Sequence, residues 1–104
     1  MTTVEIAPDA QSDIVSITEG LAVDAGKAVA LRYGAEFVAA VRQLSEFPRL
    51  GAPRPKFGAE VRLWTIHPYV LYYRYSARTD RLLVLRIVHG RRKVTRRLLS
   101  GGRP

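Results

Sequence analysis

The chain has 104 residues, no cysteine, 17 Lys and Arg against nine Asp and Glu, a formal net charge of +8 and an apolar fraction of 47%. This length suits one domain, because a second independent core would need roughly 50 more residues, and a chain of this size buries about 65% of its unfolded surface. The lack of cysteine excludes disulfides, iron–sulfur clusters and thiolate zinc sites and fits a reducing cytoplasm, while His67 and His89 alone argue against a multi-histidine metal site.

The first residues, Met1 to Gln11, carry acids and no apolar h-region, so no signal peptide is expected there. No stretch approaches the about 20 apolar residues of a membrane span. The net charge hides an asymmetry. Residues 1–48 hold three bases and seven acids, net −4, whereas residues 49–104 hold 14 bases and two acids, net +12. Basic charge confined to one half is either a solvated face or a surface for an acidic partner, and the asymmetry favours the partner.

Thr3 to Ile6 alternates and reads as a first strand. Pro8 suits the first turn of a helix, although Ala7 before it is a poor cap. Ala10, Ile14, Ile17 and Leu21 form one apolar stripe on a helix from about Pro8 to Ala22, with Asp9, Asp13 and Glu19 largely off the stripe. Gly26 breaks the pattern, Asp24 is a plausible cap, and Ala30, Tyr33, Phe37, Val41 and Leu44 give the stripe of a second helix from about Ala25 to Leu44. Gly34 costs that helix roughly 1 kcal/mol unless something packs closely against it. The short connection predicts an antiparallel helical hairpin.

Phe47 to Pro55, with three prolines, excludes helix and central strand and reads as a rigid loop. The period then becomes two. Val61 to Ile66, Val70 to Tyr75 and Leu82 to His89 read as strands joined by turns at His67–Tyr69 and Ser76–Arg81. The third is nearly continuously apolar, as for a strand buried on both faces and central in its sheet. Gly90 ends it, Arg91 to Leu99 suggests a short helix, and Ser100 to Pro104 is expected to be a disordered tail. The whole predicts an α+β domain over residues 1–99: an N-terminal strand, then a helical hairpin packed on an antiparallel β-sheet in the order β-α-α-β-β-β.

No Walker loop, GxGxxG, HExxH or CxxC motif is present, and no cofactor or metal is expected. Glu60 and Asp80 are the only acids of the basic half, which argues against a carboxylate pair there. Arg62, Arg74 and Arg86 fall one in each of the three later strands. On one face they would make a cationic patch for phosphate or carboxylate; otherwise Arg86 pairs with a core carboxylate and Arg74 faces solvent. His89 is either a general acid or base or a strand-end histidine bonded to backbone. Trp64, Tyr69, Tyr72, Tyr73 and Tyr75 could stack bases, but alternation favours packing beneath helices.

Taken together, these pieces resemble the ParE/RelE superfamily of bacterial toxins from type II toxin–antitoxin pairs, over about Val4 to Val94. The resemblance is carried by Ala7-Pro8, Ala10 and Asp13-Ile14, then Tyr33 and Leu44, and Phe47-Pro48-Arg49-Leu50-Gly51 with Pro53-Arg54. It continues through Val61-Arg62, Tyr69-Val70-Leu71-Tyr72-Tyr73-Arg74 and Arg86-Ile87-Val88-His89-Gly90-Arg91-Arg92. The long hairpin, the Pro-Gly loop and the basic ending look more like ParE than RelE. ParE resemblance implies a cytoplasmic inhibitor of DNA gyrase with no hydrolytic centre, whose target-binding candidates are Arg86, His89, Arg91, Arg92 and Lys93. RelE resemblance implies a ribosome-dependent mRNA endoribonuclease, with Arg62, Arg86 and His89 as candidate catalytic residues, although no tyrosine follows Tyr75. Either implies a cognate antitoxin whose acidic segment folds on binding, with Ile14, Ile17, Leu21, Phe37, Arg62 and Arg74 as candidate contacts. A non-toxic basic binding module is the remaining reading.

Overall fold

The computed structural model describes residues 2–100. Strand β1 (Thr3–Ile6) leads into helices α1 (Pro8–Asp24) and α2 (Lys27–Glu46). A two-residue strand β2 (Ala52–Pro53) and a 3-10 turn (Pro55–Phe57) follow, then β3 (Val61–Ile66), β4 (Tyr69–Ser76), β5 (Arg81–His89) and α3 (Arg96–Leu99). The expected order of elements is therefore present, with corrections of detail.

The sheet is mixed, with strand order β1-β5-β4-β3-β2. β3, β4 and β5 form the expected antiparallel meander, whereas β1 pairs in parallel with β5. The hairpin causes this: it carries the chain from one sheet edge across a face to the other. β5 is interior but not central; β4 holds the middle. β2 arises inside the expected rigid loop, where Ala52 and Pro53 pair with Leu63 and Arg62. An edge strand tolerates proline, whose missing N–H faces away from the ladder.

α1 starts on Pro8 without a side-chain cap, as Ala7 leads one to expect. The hairpin turn differs from expectation. Asp24 is still helical, and the residue before α2 is Gly26 at φ 97°, a left-handed value that favours glycine. α3 is shorter than expected because Arg91 and Arg92 are held in a turn over His89; the Thr95 hydroxyl then caps it by accepting from the Leu98 N–H. Of the expected tail only Ser100 is described; residues 101–104 lie outside the described residues.

Two apolar layers result. Ala10, Phe37, Ala40 and Leu44 from the hairpin meet Ile66, Leu71, Tyr73, Leu82, Val84 and Ile87 on one face of the sheet. Burying side chains such as Phe37 or Leu44 stabilises the fold by about 1.5–3 kcal/mol each. On the opposite face, Val61, Tyr72, Leu85 and Val88 are covered by Leu99 of α3, with Phe57 and Val94 beside them. Trp64, Tyr69, Tyr73 and Tyr75 lie beneath the hairpin as alternation suggests, but Tyr72 points the other way. Among the described residues no helix is long and apolar enough to cross a membrane.

Candidate functional site

The three strand arginines do not form one patch. Arg62 lies opposite Tyr73, on the face beneath the hairpin. Arg74 lies opposite Val61, on the other face, and is exposed. Arg86 sits at a bulge: Tyr72 pairs with Arg86 but Tyr73 pairs with Val84, leaving Leu85 without a partner. The extra residue breaks the period of two, so Val84 and Ile87 face the hairpin while Leu85 and Val88 face α3.

β1 ends at the Ile6–Val84 pair, so the edge of β5 beyond it has no strand neighbour. Asp13 of α1 fills that gap. Its Oδ2 accepts from the Ile87 N–H at 2.9 Å and from Arg86 Nε at 2.7 Å, and its Oδ1 accepts from Arg86 Nη2 at 2.8 Å. Both side chains are largely buried, at 14% and 12% exposure. The hydrogen bonds to Asp13 hold the Arg86 guanidinium more firmly protonated, against the opposing effect of burial. The core-carboxylate pairing anticipated for Arg86 is therefore present, and Asp13 is its partner rather than an outward acid. Its position three residues after the buried Ala10 places it at the border of the apolar stripe.

Arg62 is also engaged. Its Nη1 donates to the carbonyls of Arg49 at 2.9 Å and Gly51 at 2.8 Å, pinning the Pro-Gly loop to β3. Tyr73 pins the same loop from β4: its hydroxyl donates to the Pro48 carbonyl at 2.7 Å and accepts from the Gly51 N–H at 2.9 Å. Burial pushes the Tyr73 phenol up, opposed by the Gly51 hydrogen bond and the nearby Arg62 charge. The sequence named Tyr73 only among the strand aromatics; its hold on the loop depends on a register opposite Arg62 that no local signal gives.

His89 is exposed at the end of β5. Its Nδ1 accepts from the Arg91 N–H at 3.1 Å, and its ring meets Tyr69 edge-on. Arg91, Arg92 and Lys93 follow it into solvent. Of the antitoxin-contact candidates, Phe37 is a correction. At 2% exposure it is a core residue packed between Tyr33 and Tyr69 and offers no surface. Ile14 and Ile17 are half-buried against the same core, Leu21 is half-buried, and Arg74 stands across the sheet from them.

The hairpin instead exposes a second apolar stripe. Leu31 and Val38 are 65% and 59% exposed, and with Gly34, Ala35, Thr18 and Arg42 they line an open groove of about 530 Å³. Gly34 has nothing within 4 Å of where a Cβ would stand, so no intramolecular packing compensates its helix cost. The spacing of Leu31, Gly34 and Val38 was a legible signal, overshadowed by the stronger inner stripe.

A fold comparison follows from this geometry. A chain of the chromosomal ParDE toxin–antitoxin system from P. aeruginosa superimposes with a TM-score of 0.71 at 25% identity, covering 86% of this chain and 96% of that one. The RelBE2 toxin–antitoxin complex from Mycobacterium tuberculosis superimposes with a TM-score of 0.65 at 23% identity, covering 85% and 96%, a likeness of fold alone. No curated protein matches the chain. The family model described as ParE toxin of type II toxin–antitoxin system, parDE, matches residues 4–94, which include the hairpin, the pinned loop, the Asp13–Arg86 pair and the basic turn after β5. The chain belongs to the ParE toxins of type II toxin–antitoxin systems.

Proposed function

We propose that this toxin acts by inhibiting DNA gyrase, and that a cognate antitoxin silences it by docking on the outer groove of the α1–α2 hairpin. The observation that carries the target reading is the engagement of Arg62 and Arg86. A ribonuclease built on Arg62, Arg86 and His89 would need those two guanidiniums free to stabilise charge building on a phosphate. Here one guanidinium holds a loop and the other is closed on a carboxylate. His89 then stands without an arginine partner from the sheet, which supports binding rather than hydrolysis. The deciding experiment adds the purified toxin to gyrase and follows supercoiling and cleaved-DNA complexes. Inhibition with accumulated cleavage is expected. Unaffected gyrase at micromolar toxin, with ribosome-dependent mRNA cleavage that His89→Ala abolishes, would overturn the reading in favour of the ribonuclease. Normal growth on expression without antitoxin, with neither activity, would favour the non-toxic binding module.

The antitoxin reading rests on the groove at Leu31, Gly34 and Val38, which is apolar, exposed and cut close to the backbone by glycine. A segment that folds on binding needs apolar anchors, and a glycine admits close approach. Gly34→Ala is therefore expected to shift two readouts in opposite directions. The free toxin gains about 0.5–1 kcal/mol of stability, because alanine is the better helix former and its Cβ meets nothing. Antitoxin affinity falls by ~10-fold or more, the result of overfilling a packed contact. Urea unfolding and calorimetric titration measure the two. Unchanged affinity would place the antitoxin elsewhere.

A further inference from the structure

The exposed apolar groups and the densest run of unpaired cations occupy different parts of the molecule, although Lys27 and Arg42 border the hairpin groove. The large exposed apolar side chains of the described residues are Val15, Val23, Leu31, Val38, Phe47 and Leu50, all in the hairpin or the loop that follows it. The cations concentrate instead in the segment that runs from the end of β5 into α3. Arg91, Arg92, Lys93, Arg96 and Arg97 are all exposed within seven residues. Arg96 donates to the Lys56 carbonyl, which brings the 3-10 turn and its lysine alongside. Arg74 adjoins from β4, sharing a cleft with Leu99 of α3. Among the described residues the ion pairs are Arg81–Glu5 and Arg86–Asp13, so none of these seven cations is neutralised by one. Asp9 lies in the cleft with Arg74, and Asp13 is already engaged by Arg86, which shares a cleft with Arg97.

The composition of this face selects its partner. A protein interface needs apolar anchors at its centre, and the apolar side chains of this segment, Val94 and Leu98, are half-buried against the core. Single-stranded nucleic acid is held by aromatic platforms, yet of the two aromatics packed beside α3, Tyr72 is 8% exposed, and the half-buried Phe57 lies edge-on against it with Lys56 over its ring. What remains is closely spaced charge, mostly guanidinium, which matches the regular phosphates of a duplex. We propose that the face built by residues 91–97, Lys56 and Arg74 binds the phosphate backbone of duplex nucleic acid, apart from the hairpin groove. The proposal deepens the gyrase reading, in which the target is met on DNA, but it is tested on nucleic acid alone.

The test measures fluorescence anisotropy of a labelled duplex DNA of arbitrary sequence over increasing salt. The matching duplex RNA, the single strand and a polyglutamate peptide are run in parallel. If the five exposed cations of residues 91–97 each neutralise about one phosphate, log affinity falls against log salt with a slope of about −4.5, on the order of 500-fold weaker from ~50 to ~200 mM. The variant carrying Arg91→Gln, Arg92→Gln and Lys93→Gln is expected to flatten that slope by about 2 to 3, whereas Arg32→Gln on the hairpin leaves it unchanged. The three changed side chains are exposed, and circular dichroism checks that the fold is kept. Comparable binding of both duplexes supports a backbone surface, and preference for one names the natural duplex. No binding at low salt, tighter binding of the single strand, or equal binding of polyglutamate overturns the proposal. Gyrase inhibition without duplex binding removes this inference alone. Duplex binding without gyrase inhibition removes only the target reading.

Discussion

Asp13→Ala is expected to destabilise the toxin by about 3 kcal/mol, within the range for breaking a largely buried ion pair by removing one partner. The loss has two parts. Arg86, 14% exposed, keeps its charge without its carboxylate, and the Ile87 N–H loses its acceptor at the open edge of β5. Against a total stability of about 5–15 kcal/mol, this is a large fraction and corresponds to a fall in Tm of roughly 12–24 °C for a domain of this size. Asp13→Asn keeps an acceptor for the Ile87 N–H and should cost less. Arg86→Met alone leaves the carboxylate uncompensated, whereas Asp13→Asn with Arg86→Met removes both charges and should cost clearly less than the two singles added. A coupling energy of about 2 kcal/mol is expected from this cycle in urea unfolding. Additive costs would show that the pair is not what joins α1 to β5. The pair also bears on function, because Arg86 cannot serve a phosphate without abandoning Asp13.

The second large effect is expected at Gly51. A Cβ there would stand 2.6 Å from the Tyr73 hydroxyl and 2.7 Å from the Leu63 carbonyl, distances that real Cβ atoms do not adopt. One neighbour is backbone of β3 and the other a fully buried ring, so neither yields cheaply. Gly51→Ala should therefore cost about 2–3 kcal/mol, at the upper end for overpacking by one methyl. Tyr73→Phe removes the donor to Pro48 and the acceptor for Gly51 and should cost about 1–3 kcal/mol. The expected signature is a lower urea midpoint with an unchanged m-value, since only the packing of the loop is altered. Gly34→Ala provides the contrast within the same protein. The same substitution stabilises there, because the space beside it is open. A neutral Gly51→Ala would mean that the loop is not seated on Tyr73.

How far the site was legible follows from which residues act locally. Arg62, Arg86 and His89 were visible because charge inside an apolar strand is conspicuous, yet their roles were not. Whether Arg86 was free or paired depended on Asp13, 73 residues away. The face of each strand arginine depended on register, and the bulge at Leu85–Arg86 changed it where a steady alternation would not. Phe37 and Leu31 show the same limit on one helix. Both are large and apolar, but one is sealed beneath Tyr69 and the other is open to solvent.

What the sequence by itself determined is the set of features written in local chemistry. These are the helical hairpin from its apolar stripes, the meander from its period of two, the proline loop as a boundary, and the division of charge between the two halves. Each depends on residues a few positions apart, where geometry repeats regularly. The tertiary structure alone decided that β1 runs parallel beside β5, that Asp13 closes the open edge of that strand, and that Tyr73 and Arg62 fasten the loop. It also separated the apolar groove of the hairpin from the cationic face over α3. These outcomes depend on contacts between residues distant in the chain, and no local period encodes which side chains the packed layers bring together.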